Sequence, residues 1–168
     1  MRVLFLCASQ GKLSALQLES IVYSSQRHET YLNDGQRAGF FLGDSAGVGK
    51  GRQLAGLMLE NTLRNRVKHI WVSIGSDLAF DARRDLDDIG CGKRKSRGKN
   101  PATDGVFIEC IPLHKQSYGN IRFDSGVLFL TYSSLIAKSA QRTRLAQIIQ
   151  WCGGKEFQGV LAFDEAHK

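Results

Sequence analysis

The sequence is poor in proline, two residues in 168, and has no uninterrupted apolar run near the ~20 residues that a membrane-spanning helix requires. A Pro-rich linker protein is thereby excluded, and no membrane partner is read. Closely spaced cysteines are also missing, since Cys7, Cys91, Cys110 and Cys152 are separated by 84, 19 and 42 positions. Neither a zinc knuckle nor a redox pair can be assembled from such spacing, so reduced, buried thiols are the expectation. The opening MRVLFLCASQGK has one Arg and about six apolar residues, fewer than the ~7–15 of a secretory core, and no convincing cleavage site. The chain reads as intracellular.

A 42% hydrophobic and 23% charged composition over 168 residues is that of one soluble globular domain. Disorder and collagen-like repeats do not fit it. The net charge is +7 and the pI near 9.4, a balance that favours polyanionic partners. Five of those charges, Lys93, Arg94, Lys95, Arg97 and Lys99, fall in one stretch, and the remainder of the chain nets only +2. Residues 91–105 combine Gly, Pro, Asn and charge without apolar periodicity and form an exposed loop. It reads either as a solvated insertion or as a nuclear-import or nucleic-acid-contacting patch. Deleting it and following the salt dependence of binding separates the two.

Apolar positions Leu13, Leu16, Ile21 and Val22 predict an amphipathic helix to about Glu29. Asn33, Asp34 and Gly35 supply a turn, and Ala38 to Leu42 predicts a buried strand. Helical faces follow at Leu54 to Leu63 and Leu78 to Ile89, with strands at Ile70–Ile74, Val106–Ile111, Val127–Tyr132 and Val160–Phe163. A helix is expected from about Ser134 to Cys152. Strands alternating with helices predict an α/β fold, a parallel sheet with helices on both faces.

The strongest chemical signal is the run Gly43–Gly51, which ends in Gly47, Val48, Gly49 and Lys50 ahead of a helix. Glycine tolerates the dihedrals that let backbone N–H groups wrap phosphate oxygens, and the lysine ammonium meets the outer phosphates. A glycine-rich helix cap would explain the glycines without the lysine. Gly51 departs from the simple pattern, because a Ser or Thr there normally offers a hydroxyl to magnesium. The second signal is the strand GVLAF followed by Asp164, Glu165, Ala166 and His167. A parallel strand ending in two carboxylates delivers them to the carboxyl edge of the sheet. There Asp164 can hold a magnesium ion, in some cases through water, and Glu165 can orient or deprotonate an attacking water.

GVGK together with a strand-terminal DEAH quartet resembles the first RecA-like lobe of a superfamily-two helicase. The wider text resembles the strawberry notch family in LQLESIVYSSQRHE, DGQRAGFFLGDSAGVGKGRQLAG, WVSIGSDLAFDARRDLDDIG, GVLFLTYSSLI, RLAQIIQWCG and FQGVLAFDEAHK. These stretches cover Leu16 through Lys168. The resemblance implies a P-loop NTPase fold for residues 13–168, with residues 1–12 an atypical N-terminal segment.

It further implies that ATP binds Gly47, Val48, Gly49, Lys50 and Gly51, that Lys50 and Glu165 serve catalysis, and that Asp164 takes Mg2+. Gln17 matches the glutamine that reads adenine in related motors, and His167 would couple the nucleotide site to a partner lobe or nucleic acid. Ser76, Thr131 and Tyr132, with Ser73 and Asp77 nearby, fall at strand ends where such motors touch a nucleic-acid backbone. The implied setting is a nuclear co-regulator of chromatin or transcription. A motor needs a second lobe with an arginine finger, so the chain is expected to be a fragment truncated after the DEAH motif and inactive alone. The alternative is a non-catalytic nucleotide-binding interaction module. A small-molecule kinase would leave the Asp-Glu-x-His quartet without a role.

Overall fold

The computed structural model describes residues 2–44, 47–92, 105–139 and 142–166. The chain divides into two compact units, Met1–Glu60 with Arg84–Phe107, and Asn61–Arg83 with Ile108–Lys168. Much of the basic loop and His167 lie outside the described residues.

The first unit is helical. α1 (Arg2–Ser9) is an element that periodicity did not predict, and it buries Leu4 and Cys7. α2 (Ala15–Arg27) starts at a reciprocal cap, in which Gln17 N–H donates to Ser14 Oγ at 3.2 Å and Ser14 N–H to Gln17 Oε1 at 3.0 Å. The predicted turn forms at Gly35, with φ +79°. The predicted strand Ala38 to Leu42 does not form among the described residues. Its run carries Gly39, only Ala38 is buried and Phe41 is 86% exposed, so these residues gain no burial that would offset ordering as a strand. α3 (Lys50–Leu63) follows, and Gly56 is where it approaches Ile21 and Leu4 too closely for a side chain. Most of α4 (Ala79–Ile89) completes the unit, burying Leu86 and Ile89.

The second unit holds a four-stranded, wholly parallel sheet with flanking helices. Its strands are β1 (Lys68–Ser73), β2 (Cys110–Pro112), β3 (Gly126–Thr131) and β6 (Leu161–Phe163), in the order β2-β3-β1-β6. β1 and β3 are buried on both faces, which explains the apolar runs Ile70–Val72 and Val127–Leu130 within them. One face, Ile70, Val72, Leu128 and Leu130, packs with Ile148 and Trp151 of α6 (Arg144–Cys152). The strand predicted at Val106–Ile111 forms later, at β2, although Glu109 O just before it already accepts from Val127 N–H at 2.7 Å.

The single helix predicted from Ser134 to Cys152 is interrupted. α5 (Tyr132–Ile136) ends, the antiparallel two-residue strands β4 (Lys138–Ser139) and β5 (Arg142–Thr143) intervene, and α6 begins. Thr143 is the physical reason, since its hydroxyl accepts from Ala146 N–H at 3.1 Å and starts a new helix. Cys7, Cys91 and Cys110 are buried thiols and Cys152 is half-buried; burial pushes Cys91 and Cys110 up to about 12.

His69, fully buried in β1, ties the sheet to the chain on either side. Its Nδ1 accepts from Val160 N–H at 3.2 Å, so Nε2 carries the proton and donates to Thr62 Oγ1 at 2.9 Å. Burial lowers its pKa from 6.5 to about 4. The unfolded chain binds this proton more tightly, so the contribution to stability is complete above pH 6.5 and is lost as pH falls toward 4. Between pH 7 and pH 4.5 the parent should lose about 2 to 3 kcal/mol more than the His69→Gln variant in urea unfolding. Parallel pH profiles would contradict this account of His69.

Candidate functional site

In the first unit, the described residues of the glycine loop are contacted by side chains of α2 and α3, and residues 45 and 46 lie outside the described residues. Gly47 and Gly49 have φ of +87° and +82°, conformations that glycine adopts without strain. Gln17 Nε2 donates to Val48 O at 2.9 Å, and a Cβ on Gly49 would strike that same amide nitrogen. Gly49 O receives the N–H groups of Arg52 and Gln53 at 3.1 and 3.3 Å as α3 begins. Lys50 starts the helix, and its ammonium donates to Asp44 O at 3.0 Å. Gln53 Nε2 donates to Asp44 Oδ2 at 2.7 Å, bracing the segment that leads into the loop.

The described part of the loop thus leads directly into the first turn of α3, with Lys50 at its start. Gln17, expected to face adenine, has both ends of its amide engaged, one in the α2 cap and one on the loop. Ser14-x-x-Gln17 is a capping-box spelling, so the sequence contained the signal for this use.

Gly51 has a local explanation. A Cβ there would overlap the Asp85 carboxylate, delivered by α4, so a serine requires that side chain to shift. Asp85 is a residue that the sequence reading missed, because nothing local connects positions 34 residues apart.

In the second unit, parallel register places the strand ends level with one another: Ser73 pairs with Thr131 and Val72 with Phe163. Asp164 follows directly. Its N–H donates to Val72 O at 2.8 Å, its Oδ2 accepts from Ser73 Oγ at 3.2 Å, and its carbonyl accepts from Tyr132 OH at 2.9 Å. Tyr132 also stacks on Phe163, with centroids 6.3 Å apart. Burial, then the charges of Asp164 and Glu165, raise the Tyr132 pKa, so its hydroxyl stays a donor. Asp164 Oδ1 has no partner among the described residues and is the oxygen left for a ligand. Glu165 has φ +56°, a left-handed turn that costs on the order of 1 kcal/mol and swings the chain sharply off the strand.

The strand-end hydroxyls divide in their uses. Ser73 is fully buried and bonded to Asp164, which corrects its reading as a nucleic-acid contact. Thr131 Oγ1 bonds Ser134 Oγ at 2.8 Å as a helix cap, while Ser76 lies exposed in the turn before α4. Among the described residues, no group of three or more His, Cys, Asp or Glu could hold a metal.

A phosphate-type glycine loop with its lysine, and a parallel strand ending in a tethered aspartate, define a P-loop nucleoside-triphosphatase fold. A protein-family profile described as P-loop containing NTP hydrolase pore-1 matches residues 4–168, and the chain belongs to that family. It is 54% identical over 157 residues to Protein FORGETTER 1 of Arabidopsis thaliana, covering 93% of this chain and 11% of that protein. It is 49% identical over 169 residues to Protein strawberry notch homolog 2 of Homo sapiens, covering 98% and 11%. With Protein strawberry notch of Drosophila melanogaster the identity is 46% over 171 residues, covering 95% and 9%. The resemblance to the strawberry notch family is thus borne out, and the chain spans about a tenth of the length of these relatives. No solved structure matches the chain.

The Asp85 contact yields a prediction about the missing hydroxyl. Gly51→Ser should destabilise the protein by about 1 to 2 kcal/mol through overpacking, and pairing it with Asp85→Ala should recover most of that loss. Thermal unfolding of the two variants is the measurement, and a neutral single variant would refute the clash.

Proposed function

We propose that this chain is the ATP-binding lobe of a helicase-like ATPase of the strawberry notch type, coupling hydrolysis to nucleic-acid or chromatin binding in transcriptional control. The observation that supports it most is the tethered Asp164, whose backbone and one carboxylate oxygen are fixed while the other oxygen is left over. One or two such carboxylate oxygens, with phosphates and waters completing the shell, suit Mg2+, which usually keeps several waters. When bound, the ion neutralises charge on the phosphates.

The roles follow from the residues. Backbone N–H groups of Gly47–Gly51 receive the phosphates, and Lys50 exchanges its bond to Asp44 O for the outer phosphates. Asp164 holds the ion, and Glu165 orients and deprotonates the attacking water. His167 would relay the state of the nucleotide to a partner lobe or nucleic acid, with Ser76, Thr131 and Tyr132 as candidate backbone contacts. A nuclear location accompanies the transcriptional setting. Gln17 acts on either reading, as base reader or as the brace of Val48.

A second reading, a non-catalytic nucleotide-binding module, draws support from Gly51, which lacks the usual hydroxyl and has the Asp85 carboxylate against the place a Cβ would take. Glu165→Gln in the full-length protein decides between them. Hydrolysis should fall roughly 10²–10⁴-fold with ATP affinity nearly unchanged, whereas Lys50→Ala should weaken binding itself. A parent protein that binds partners but never turns over ATP would select the module. Gln17→Ala gives a separate prediction: a brace that shapes the loop lowers ATP and GTP affinity alike, by about 5- to 10-fold, whereas a base reader lowers ATP affinity selectively. Titration with both nucleotides tells them apart.

A further inference from the structure

A groove of about 690 Å3 in the second unit shares no residue with the strand ends that carry Asp164. It runs between α6 and the segment that connects β2 to β3, and its polar lining comes from Ser117, Tyr118, Asn120, Arg122, Gln147 and Gln150. That volume is in the range of small-ligand sites. Ala146 is the only aliphatic side chain among the lining residues, and no acidic residue lines it.

The groove wall is built rather than incidental. Arg144, only 9% exposed, lies over the Tyr118 ring at 3.8 Å and donates to Gln147 Oε1 at 2.7 Å. Gln147 Nε2 donates to Ser117 O at 2.7 Å, which ties the connecting segment to the helix. Arg144 has no carboxylate partner among the described residues. A guanidinium this buried and without a counter-charge makes the wall electropositive.

The groove surface keeps unused capacity. Gln150 Nε2 donates to Asn120 Oδ1 at 3.3 Å, and neither side chain has another partner among the described residues. Whichever way the two amides are turned, the pair retains one donor and one acceptor. Arg122 is exposed, and its guanidinium has no partner among the described residues. Tyr118, covered by a cation on one side, offers the rest of its ring.

We propose that this groove binds a nucleotide unit of a single-stranded nucleic acid. Arg122 meets the phosphodiester, Tyr118 backed by Arg144 stacks the base, and the Asn120–Gln150 pair bonds the base edge. An acidic peptide satisfies the charges, but it finds no apolar pocket for an anchoring side chain. The proposal rests on the nucleic-acid part of the function given above and not on ATP hydrolysis.

The test is fluorescence anisotropy of the 168-residue chain with a labelled oligothymidylate about 12 nucleotides long, without nucleotide triphosphate. Arg122→Gln should weaken binding about fivefold and reduce the slope of log affinity against log salt by about one. Tyr118→Leu should weaken it about tenfold, and Asn120→Ala should alter the preference between thymidylate and adenylate strands. Arg122 and Asn120 are exposed, so their variants keep the fold, and thermal unfolding monitors Tyr118→Leu. Parent-like binding by both exposed variants overturns the groove while leaving nucleic acid as a partner through the strand ends. No binding by the parent overturns the groove and that partner together, leaving the ATPase reading intact. Polyglutamate binding that is lost in Asn120→Ala overturns the strand in favour of an acidic peptide.

Discussion

The register of β1 is the constraint on which the second unit depends. This strand pairs with β3 from Lys68 to Ser73 and with β6 from Ile70 to Val72, and so joins the strand that leads into Asp164 to the rest of the sheet. Side chains alternate between faces, so a slip of one residue would turn Ser73 away from Asp164 and move His69 off Val160 N–H. Ile70 and Val72 would leave the α6 face at the same time. Burial and hydrogen bonding therefore specify the same alignment. The chemistry at the carboxyl edge inherits its precision from a core strand rather than from the loop on which the carboxylates lie.

The same logic explains why a buried histidine is tolerated in that strand. A neutral imidazole can accept from Val160 and donate to Thr62, which satisfies both ring nitrogens in a place where charge is costly. An apolar side chain would leave Val160 N–H without its acceptor. Register is thus held by a polar pair at one end of β1 and by the Ser73–Asp164 contact at the other.

Local patterns were legible where one element's own residues decide it. The strands at Ile70 and Val127, the α2 and α4 periodicities and the left-handed glycines of the lysine loop all follow from short-range spelling. Three features were not. Ala38 to Leu42 spells a buried strand, but burial depends on what covers it, and Phe41 is exposed. The helix expected from Ser134 to Cys152 bridges the stretch Lys138 to Arg144, where Ala140 is the one apolar residue, and Thr143 restarts the helix there. Gly51 looked like a lost ligand, although the cause is Asp85, distant in sequence and in contact in the fold. Coverage by other elements, or its lack, decides the first and third of these, and a cap in the helix's own first turn decides the second.

Polar side chains at element ends show a related asymmetry. Gln17, Ser73, Thr131 and Tyr132 all carry groups suited to a ligand, and all four use them on the protein itself. Internal satisfaction is the default for such groups, since a buried donor left unmade costs about 1–3 kcal/mol. Residue type and position therefore overstate how many groups meet a ligand. Residual capacity is the sharper criterion, and it singles out different atoms: Asp164 Oδ1 at the strand end, and the unshared halves of Asn120 and Gln150 beside Arg122. The first lies where a family motif pointed. The others lie in a segment with no motif at all, and only the account of which bonds are already made distinguishes them from ordinary surface amides.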